Sequence, residues 1–499
     1  METIKFFSTP WSLLPPLVAI TLALITKEVY SSLFIGILAG GLLFADLNFV
    51  PALKHVFNDG FFSVLSDSSN QIIIIFILCM AMLIILIGKT GGADAFGIWA
   101  SKNVKGRKGA QLSTILLGLL IFIDDFFNCL TVGSVMRPVA DKNNISRAKL
   151  AYLVDATAAP ICIIAPVSSW AAAVSSYAED GQGLYLFIRA IPYNFYSLLT
   201  IVMMFSIALM DFDFGSMSKY ENDAKNNSVI FSNANSDFKK PAGRIIDLVF
   251  PVLALIILCI IGIIYTGGYF NGVSFVDAFA NSDAPAGLAT GSAIALVLTI
   301  IYILLFCRTN VKFFDIIKSV PETLRLIVPP LIILIMAWAL KTMTDDLGAK
   351  NFIESVVKNS ATGFQTTLPA IIFGISCFIS FATGTSWGTF GILIPITLNI
   401  FPLTNPLGII CVSASMAGAV CGDHCSPVSD TTIAASMGAR CNHVIHVSTQ
   451  LPYAITVACV SFVTYIIAGF VPNYFIALPI GIILMIMTLL IIRRIFVVK

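Results

Sequence analysis

Charged residues are scarce in this chain of 499 residues: Asp, Glu, Lys and Arg together make up 11% of it, whereas 58% is hydrophobic. A soluble globular protein carries about 25% charged residues, so this shortage excludes an ordinary soluble domain. The net charge is only +2, which provides no field that would favour nucleic acid or an anionic surface. The composition is that of a polytopic membrane protein.

Other features are missing as well. No stretch matches GxxxxGKS or GxxxxGKT, the loop that binds nucleotide phosphates, and this argues against an ATP-driven pump. The eleven cysteines are scattered, mostly singly within apolar stretches, as small buried residues rather than as a disulfide framework. The N-terminal stretch lacks a basic start and a small-residue cleavage site, so we expect a retained first helix.

Apolar stretches long enough to cross a bilayer recur along almost the whole chain. A helix of about 17 to 25 apolar residues spans the hydrocarbon core, and we count about eleven to thirteen such segments. Residues 72–87, IIIIFILCMAMLIILI, lack the alternation of a membrane β-strand. We therefore predict an all-α polytopic membrane protein, with broken or re-entrant helices at its centre.

One long polar segment divides the chain. Residues 210–244 are rich in Asn, Ser, Asp and Lys, and we predict a mobile connector there. The domains predicted on either side are a first transmembrane repeat at 1–209, a second at 245–470 and a terminal transmembrane helix at 471–499.

The two halves also match each other in sequence. With an offset of 256 residues Gly118 meets Gly374, and with an offset of 261 APVSSW at 165–170 falls on SPVSDT at 426–431. Chance similarity between apolar segments is the alternative, but the constant offset and the shared Pro-Val-Ser favour a duplication. Repeats with broken helices in corresponding positions are typical of secondary transporters, whose substrate sites lie where the repeats meet.

Polar residues concentrate in four stretches with apolar surroundings, at 121–138, 153–170, 380–395 and 417–436. An unpaired polar group at membrane depth is costly, and non-helical backbone is tolerated there only where it is buried in protein or lines a cavity. The glycines and prolines of these stretches suit interruptions of helices. We expect the four stretches to line one site.

Carboxylates carry the strongest functional expectation, because an acid at membrane depth is by default a functional residue. Asp124 and Asp125 would point about 100° apart on a helix, so we expect one of them in the site. The residues predicted to bind a cation or substrate are Asp125, Asn128, Asp155, Ser168, Ser169, Thr385, Ser386, Thr389, Asp423, His424, Ser429, Asp430 and Thr431. Hard oxygen ligands of the kind that an alkali cation needs are predicted at Ser386, Thr389, Asp423 and Asp430.

Several candidates have alternative interpretations. Ser and Thr hydroxyls also bond back to their own helix or between packed helices. His424 with Cys421 and Cys425 offers only three ligands to a soft metal such as zinc, and a hydrogen-bonding or proton-relaying histidine fits better. His443 and His446 are expected on the loop before the next helix.

Two motifs, GTSWGTFGILIPI at 384–396 and GDHCSPVSDTTIAAS at 422–436, closely resemble the NhaC-type sodium/proton antiporter family of the ion transporter superfamily. The resemblance covers nearly the whole chain, including IDDFFN at 123–128 and CNHVIHVSTQLPYA at 441–454. It implies a secondary carrier energised by sodium or protons, in a bacterial inner (cytoplasmic) membrane. It further implies inverted repeats, hairpin tips near the substrate, and often a homodimer with elevator-like motion.

Two functions are compatible with these residues. Sodium/proton antiport requires only competition at one desolvated carboxylate, where sodium and protons exclude one another. The alternative is sodium- or proton-coupled transport of an amino acid or small organic acid, since some relatives similar in these motifs move such solutes. Aromatic residues would then wall the solute, or else pack in the core: Phe126, Phe127, Trp170 and Trp387. We expect no enzyme activity, no nucleic-acid partner, and no cofactor apart from sodium as coupling ion or cargo.

Overall fold

The computed structural model describes residues 5–26, 28–122, 124–178, 182–226, 243–275, 278, 282–307, 311–349, 351–352, 362–401, 405–427 and 429–497. Helices form the architecture, and these ranges contain no β-strand. The prediction of an all-α fold is therefore confirmed. The eleven cysteines all lie within these ranges, and none of them is in a disulfide there.

The helices of the first half lead up to and into the polar segment. They are α1 (Leu14–Thr26), α2 (Val29–Phe44), α3 (Phe49–His55), α4 (Ser63–Ser66), α5 (Ser68–Lys89), α6 (Gly92–Asn103), α7 (Gly106–Leu120), α8 (Asp125–Lys142), α9 (Arg147–Ala156), α10 (Ala159–Cys162), α11 (Ser169–Ser175), α12 (Gly183–Ala190), α13 (Phe195–Met210) and α14 (Ser216–Asn226). A π-helical turn, Val56–Phe62, joins α3 to α4.

The helices of the second half are on average longer. They are α15 (Ile246–Thr266), α16 (Ala284–Phe306), α17 (Phe313–Asp346), α18 (Thr362–Thr383), α19 (Ser386–Ile400), α20 (Pro406–Cys425), α21 (Asp430–Ala439), α22 (His443–Phe470) and α23 (Tyr474–Val497).

The chain is a multi-pass membrane protein. Within the described ranges, eight helices are long and apolar enough to cross a membrane, or up to ten if each of two bent pairs is one span. One bent pair joins Tyr30–Phe44 to Phe49–Ser66 at 119°, and the other joins Gly183–Tyr193 to Phe195–Met210 at 46°. This count is lower than the number of apolar segments in the sequence, because several segments fold as two short helices with a break between them.

Close contact between α18 and α20 fixes the helix that carries Asp423. A Cβ atom on Gly418 would lie 2.5 Å from the carbonyl oxygen of Phe373, and one on Gly422 would lie 2.3 Å from that of Cys377. Small residues of this kind let two membrane helices approach at backbone distance. Ser376 Oγ adds a hydrogen bond of 2.6 Å to the Ser415 carbonyl across the same contact.

The first part of the predicted connector is ordered. Lys149 is fully buried and pairs with Asp213, which also accepts a hydrogen bond of 2.5 Å from Tyr453 Oη. Burial raises the pKa of Asp213, but the Lys149 charge and the hydrogen bonds from Lys149 and Tyr453 together outweigh this and leave that pKa below its ordinary value. On α14, Glu221 pairs with Arg107. These buried pairs dock residues 211–226 onto the helices, and the rest of the predicted connector, 227–242, lies outside the described residues.

Helix starts recur at the sequence offset found between the halves. α8 and α19 begin at Asp125 and Ser386, and α11 and α21 begin at Ser169 and Asp430, so each pair is 261 residues apart. Each of these four helices is directly preceded by non-helical residues. The duplication, its inversion and the domain boundaries stay predictions, and these matching helix starts support them.

Candidate functional site

A cavity of about 500 Å³ lies where α8, α11, α19 and α21 begin. The polar side chains that line it deep in the protein are Asp124, Asp125, Ser169, Thr385, Ser386, Asp423 and Thr431. The other walls are mainly apolar side chains of α5 and α17. Six of the thirteen residues predicted to bind a cation or substrate thus meet at one cavity, although they come from all four polar stretches of the sequence.

Two of the converging helices begin directly after a break in a membrane segment. Asp124 caps α8 by accepting a hydrogen bond of 2.8 Å from the Phe127 amide. Thr385 caps α19 by accepting one of 3.5 Å from the Gly388 amide, and a left-handed Gly384 precedes it with φ of 68°. Helix N-termini carry partial positive charge, so the cavity attracts anions at its helix starts and cations at its carboxylates.

Asp423 and Ser386 form the most buried polar pair of the cavity. Ser386 Oγ donates a hydrogen bond of 2.8 Å to Asp423 Oδ2, and these residues are 1% and 4% exposed, respectively. Ser386 Oγ also lies 3.2 Å from the Ala419 carbonyl, so its single hydrogen is shared between two acceptors. A carboxylate and a hydroxyl held together in this way are oxygen ligands suited to an alkali cation.

Asp124 and Asp125 both line the cavity, whereas the sequence predicted only one of them in the site. The reason is the backbone of Asp124, whose φ of −152° and ψ of 137° are extended. The angle of about 100° between neighbours applies only within a helix, and α8 starts at the next residue, Asp125, which is 8% exposed. The cavity therefore gathers three aspartates, counting Asp423.

Asn128 and Thr389 do not line the cavity, because each side chain donates hydrogen bonds to backbone carbonyls next to a helix break. Asn128 Nδ2 lies within 2.9 Å of the carbonyl oxygens of Gly118, Ile121 and Thr157, and so ties down the broken end of α7. Thr389 Oγ1 bonds back to the Thr385 carbonyl at 2.9 Å. Both side chains thus stabilise the breaks beside the cavity, and the ligand roles predicted for them stay predictions.

Ser168 and Ser429 are helix caps rather than cavity residues. Ser168 Oγ accepts from the Ala171 amide at 3.1 Å, and Ser429 Oγ accepts from the Thr432 amide at 3.3 Å. They occupy equivalent positions before α11 and α21, and they orient the neighbouring Ser169 and Thr431, which do line the cavity. Asp430 begins α21, but its side chain lies outside the described part of the structure.

His424 and Asp155 face away from the cavity into the protein core. His424 Nδ1 lies 2.8 Å from Tyr196 Oη, and its ring stacks on that of Tyr152 with centroids 6.3 Å apart. Asp155 is 1% exposed and accepts a hydrogen bond of 2.8 Å from Gln450 Nε2. Among the described residues, no group of three or more His, Cys, Asp or Glu side chains could hold a metal ion.

Two charged residues of the cavity wall escaped the sequence analysis. Glu322 and Arg325 line the cavity from α17, where both are exposed, and Glu322 Oε2 lies 3.0 Å from Lys89 Nζ. The signal in the sequence was PETLR at 321–325, which places opposite charges three residues apart on one helix. Opposite charges three residues apart are also typical of a solvated helix surface, so this pattern alone does not indicate a cavity wall.

The four aromatic candidates divide into two pairs. Phe126 and Trp387 line the cavity. Trp170 is fully buried behind it, with its ring centroid 6.1 Å from that of Trp387, and Phe127 packs in the core. Both roles expected for these aromatic residues thus occur, two of them in the cavity wall and two in the packed core.

Comparison with known proteins places the chain among transporters. A family model described as the Na+/H+ antiporter family matches residues 172–470. An uncharacterized protein of Haemophilus influenzae is 37% identical over 492 residues, covering 94% of this chain and 93% of that protein. The malate-2H(+)/Na(+)-lactate antiporter of Bacillus subtilis is 32% identical over 99 residues, covering 19% of this chain and 20% of that protein. The solved structure of MtrF from Neisseria gonorrhoeae, an antimetabolite efflux pump, shares the fold with a TM-score of 0.55 at 13% identity, covering 86% of this chain and 85% of that one.

Proposed function

The chain belongs to the Na+/H+ antiporter family, and we propose that it exchanges sodium for protons at the cavity lined by Asp125 and Asp423. Membership of this family makes it a secondary transporter and not an enzyme, and it confirms the resemblance seen in the sequence motifs. The exchange of these two ions, the bacterial inner membrane as location and a homodimer with elevator-like motion are parts of the proposal.

The gathering of Asp124, Asp125 and Asp423 at one cavity carries the proposal. Arg325 is the only basic side chain in the described lining, and it is exposed. A carboxylate removed from water is costly unless a cation, a proton or hydrogen bonds compensate its charge. Three neighbouring carboxylates therefore favour a site that holds either sodium or protons and is seldom empty of both.

Competition at such a site produces exchange. If the carrier crosses the membrane readily only when the site is filled, sodium bound on one side must be replaced by protons on the other. We assign Asp423 and Ser386 as sodium ligands, because they already form a buried pair of oxygen donors. Asp125 supplies the facing carboxylate, and Asp430 is a further ligand on sequence grounds alone.

The test is sodium uptake into proteoliposomes driven by an outward proton gradient. We expect uptake by the unaltered protein and loss of uptake in Asp423→Asn, since the amide cannot exchange a proton for sodium. The matched control is Asp223→Asn, the same substitution at an exposed position of α14, which should retain uptake. Equal uptake by Asp423→Asn and the control, with equal amounts of folded protein, would contradict the proposal.

A second candidate function is coupled transport of an amino acid or small organic acid, and the size of the cavity favours it. Its volume of about 500 Å³ falls within the range of about 300 to 1,000 Å³ of small-molecule sites, whereas one water occupies about 30 Å³ in the liquid. The starts of α8 and α19 suit a carboxylate group, as does Arg325, while Phe126 and Trp387 offer apolar contact.

The same proteoliposomes distinguish the two candidates. Sodium uptake is measured with and without a mixture of amino acids and small carboxylic acids outside the vesicles. Uptake driven by the proton gradient alone supports antiport. Uptake that appears only with the mixture supports solute transport, and fractionation of the mixture then identifies the solute.

A further inference from the structure

A second buried polar cluster lies outside the cavity and has no part in the proposed exchange so far. It consists of Asp155 on α9, Ser436 on α21, and His443, His446 and Gln450 on α22. Four of these residues are at most 3% exposed, and only His443 reaches the surface, half-buried at the start of α22. The two histidines lie on the first turn of this helix, not on the preceding loop where the sequence analysis placed them.

The hydrogen bonds of this cluster form a continuous chain. His443 Nδ1 lies 3.1 Å from Ser436 Oγ, which in turn lies 2.9 Å from His446 Nδ1. On the other side of its ring, His446 Nε2 lies 2.9 Å from Gln450 Oε1 and 3.7 Å from Asp155 Oδ2. The hydrogen bonds therefore run from the surface, through two imidazoles and one hydroxyl, to Gln450, and a buried carboxylate lies just beyond hydrogen-bonding distance of the second imidazole.

The acceptors at either end fix the tautomers of both histidines. His443 Nε2 lies 2.7 Å from the Pro427 carbonyl, which can only accept, so this nitrogen carries a hydrogen. Gln450 Nε2 donates to Asp155 Oδ2 and to the His424 carbonyl, so Gln450 Oε1 faces His446 and accepts from its Nε2. With both rings neutral, both Nδ1 atoms are then acceptors.

Ser436 cannot satisfy the acceptors around it. Its hydroxyl has one hydrogen, but it faces His443 Nδ1, His446 Nδ1 and the Thr432 carbonyl, the last at 2.8 Å. One additional proton on His443 turns its Nδ1 into a donor toward Ser436 Oγ and leaves the serine hydrogen available to His446. The cluster is therefore built to hold one proton more than the neutral side chains supply.

We propose that His443, Ser436 and His446 form a relay that carries protons between the surface and Asp155. The inference rests on the proposed antiport, to which it adds a proton path between the surface and Asp155. The N–H bond at His443 Nδ1 breaks as an O–H bond forms at Ser436, whose own hydrogen forms an N–H bond at His446 Nδ1. His446 then gives its Nε2 hydrogen to Asp155 Oδ2 after a small ring rotation. One proton has moved from His443 to Asp155, and both histidines are neutral, with the hydrogen of His446 now on Nδ1.

Gln450 links the end of the relay to the cavity. Its Nε2 bonds both Asp155 and the carbonyl of His424, the residue that follows Asp423 on α20. A change in the charge of Asp155 therefore acts on the last turn of the helix that carries Asp423. The proton held at Asp155 thus influences the cavity through this hydrogen-bonded link, while the relay itself ends at Asp155.

Few other titratable groups face the relay. Those that interact with its members from the packed elements are His424 and Cys425 on α20, Cys129 on α8, and Cys441 in the turn before α22, which also faces Arg147. Arg147 and Arg137 donate to the carbonyls of Ala439 and Gly438 at the end of α21. By the positive-inside rule this basic end faces the cytoplasm, so the relay opens on the cytoplasmic side.

The decisive experiment compares two modes of transport by the full chain in proteoliposomes. Exchange of radioactive sodium for sodium moves no net proton, whereas sodium uptake against an outward proton gradient does. For Ser436→Ala and His446→Gln we expect gradient-driven uptake to fall about 100-fold, the order of effect of a positioned proton-transfer group, while sodium exchange is retained. The matched control is Ser461→Ala. Ser461 is likewise a buried serine, it lies on α22, and its hydroxyl has no hydrogen-bond partner in the described structure.

Each outcome decides the inference. An equal fall of both modes in Ser436→Ala would show a structural network, and no fall in either mode would exclude the relay. Imidazole added on the His443 side should restore gradient-driven uptake to His443→Ala, which a structural role would not allow. If the unaltered protein shows sodium exchange but no gradient-driven uptake, the antiport itself fails.

A measurement without transport then decides the relay alone. Nitrogen-15 spectra of histidine-labelled protein are recorded against pH. The relay predicts that His443 and His446 take up one shared proton in the unaltered protein and titrate independently in Ser436→Ala. Independent titration in both proteins would overturn it.

Discussion

Removal of one hydroxyl, in Ser386→Ala, tests the assignment of the sodium ligands. Ser386 Oγ donates to Asp423 Oδ2 at 2.8 Å, and both residues are almost fully buried. A hydrogen bond to a charged group contributes about 1.5 to 3 kcal/mol. If the same hydroxyl oxygen coordinates sodium, its loss should weaken sodium binding by a similar amount, which corresponds to about 10- to 100-fold.

The assay is the sodium dependence of uptake, analysed separately for apparent sodium affinity and for maximal rate. We expect Ser386→Ala to raise the sodium concentration required for half-maximal uptake, with the maximal rate less affected. Sodium binding to purified protein, followed by its effect on Tm, measures the same loss without transport.

Ser376→Ala is the matched control for this substitution. Ser376 is likewise a fully buried serine, but its hydroxyl donates to the Ser415 carbonyl at 2.6 Å, within the contact of α18 with α20. Its loss should cost about 1 kcal/mol of stability without altering the sodium dependence. Unchanged sodium dependence in Ser386→Ala, or an equal change in both variants, would refute the assignment.

Three further substitutions test other parts of the structure. Gly422→Ala should prevent α18 and α20 from packing, because the added Cβ would lie 2.3 Å from the Cys377 carbonyl. Size-exclusion chromatography of detergent extracts should show loss of folded protein, and a normal yield of folded protein would contradict this. Lys149→Met leaves the Asp213 side chain, which is 5% exposed, without its charged partner, which costs about 3 to 5 kcal/mol, so Tm should fall clearly. The pKa of Asp213 is lowered in the folded protein. The stability gained from this pair is therefore present above the ordinary aspartate pKa of about 3.9 and is lost as pH falls through the lowered value. Lys149→Met should lack this acid-dependent loss of stability, and an equal loss in both proteins would exclude the pair as its cause. Arg325→Gln should abolish uptake of an organic acid while leaving proton-driven sodium uptake intact, if the second candidate function is correct, and solute uptake by this variant would remove Arg325 from the site.

The acids and breaks of the site were predictable because their signals are local. A carboxylate within an apolar stretch is costly wherever the helix packs, and this identified Asp125 and Asp423 without knowledge of any contact. Glycine and polar residues between apolar runs likewise indicated where helices would break, as at Gly384.

The roles of the hydroxyl and amide side chains were not predictable in the same way. Thr389 and Ser386 are alike in type and three residues apart, yet one bonds back to its own helix and the other reaches Asp423. Which of them faces the cavity depends on where α19 begins. Asp124 likewise depends on where a helix begins, because it lines the cavity only through the extended backbone of this one residue before α8.

The contacts of Asp155 depend on packing between distant parts of the chain. Gln450, its hydrogen-bonding partner, is 295 residues away in sequence. The sequence marked Asp155 as a buried acid, which it is, but offered no means of separating a cavity acid from one that faces a neighbouring helix. Long-range contacts of this kind require the structure.

Proton release on sodium binding tests the central claim most directly. Purified protein in weakly buffered detergent solution is mixed with sodium, and a pH-sensitive dye records the protons set free; potassium serves as the ionic-strength control, and Asp423→Asn as the site variant. Competition at the cavity carboxylates predicts that sodium releases protons from the unaltered protein and not from Asp423→Asn. Sodium binding without proton release would show that the two ions occupy separate sites, and would contradict exchange by competition.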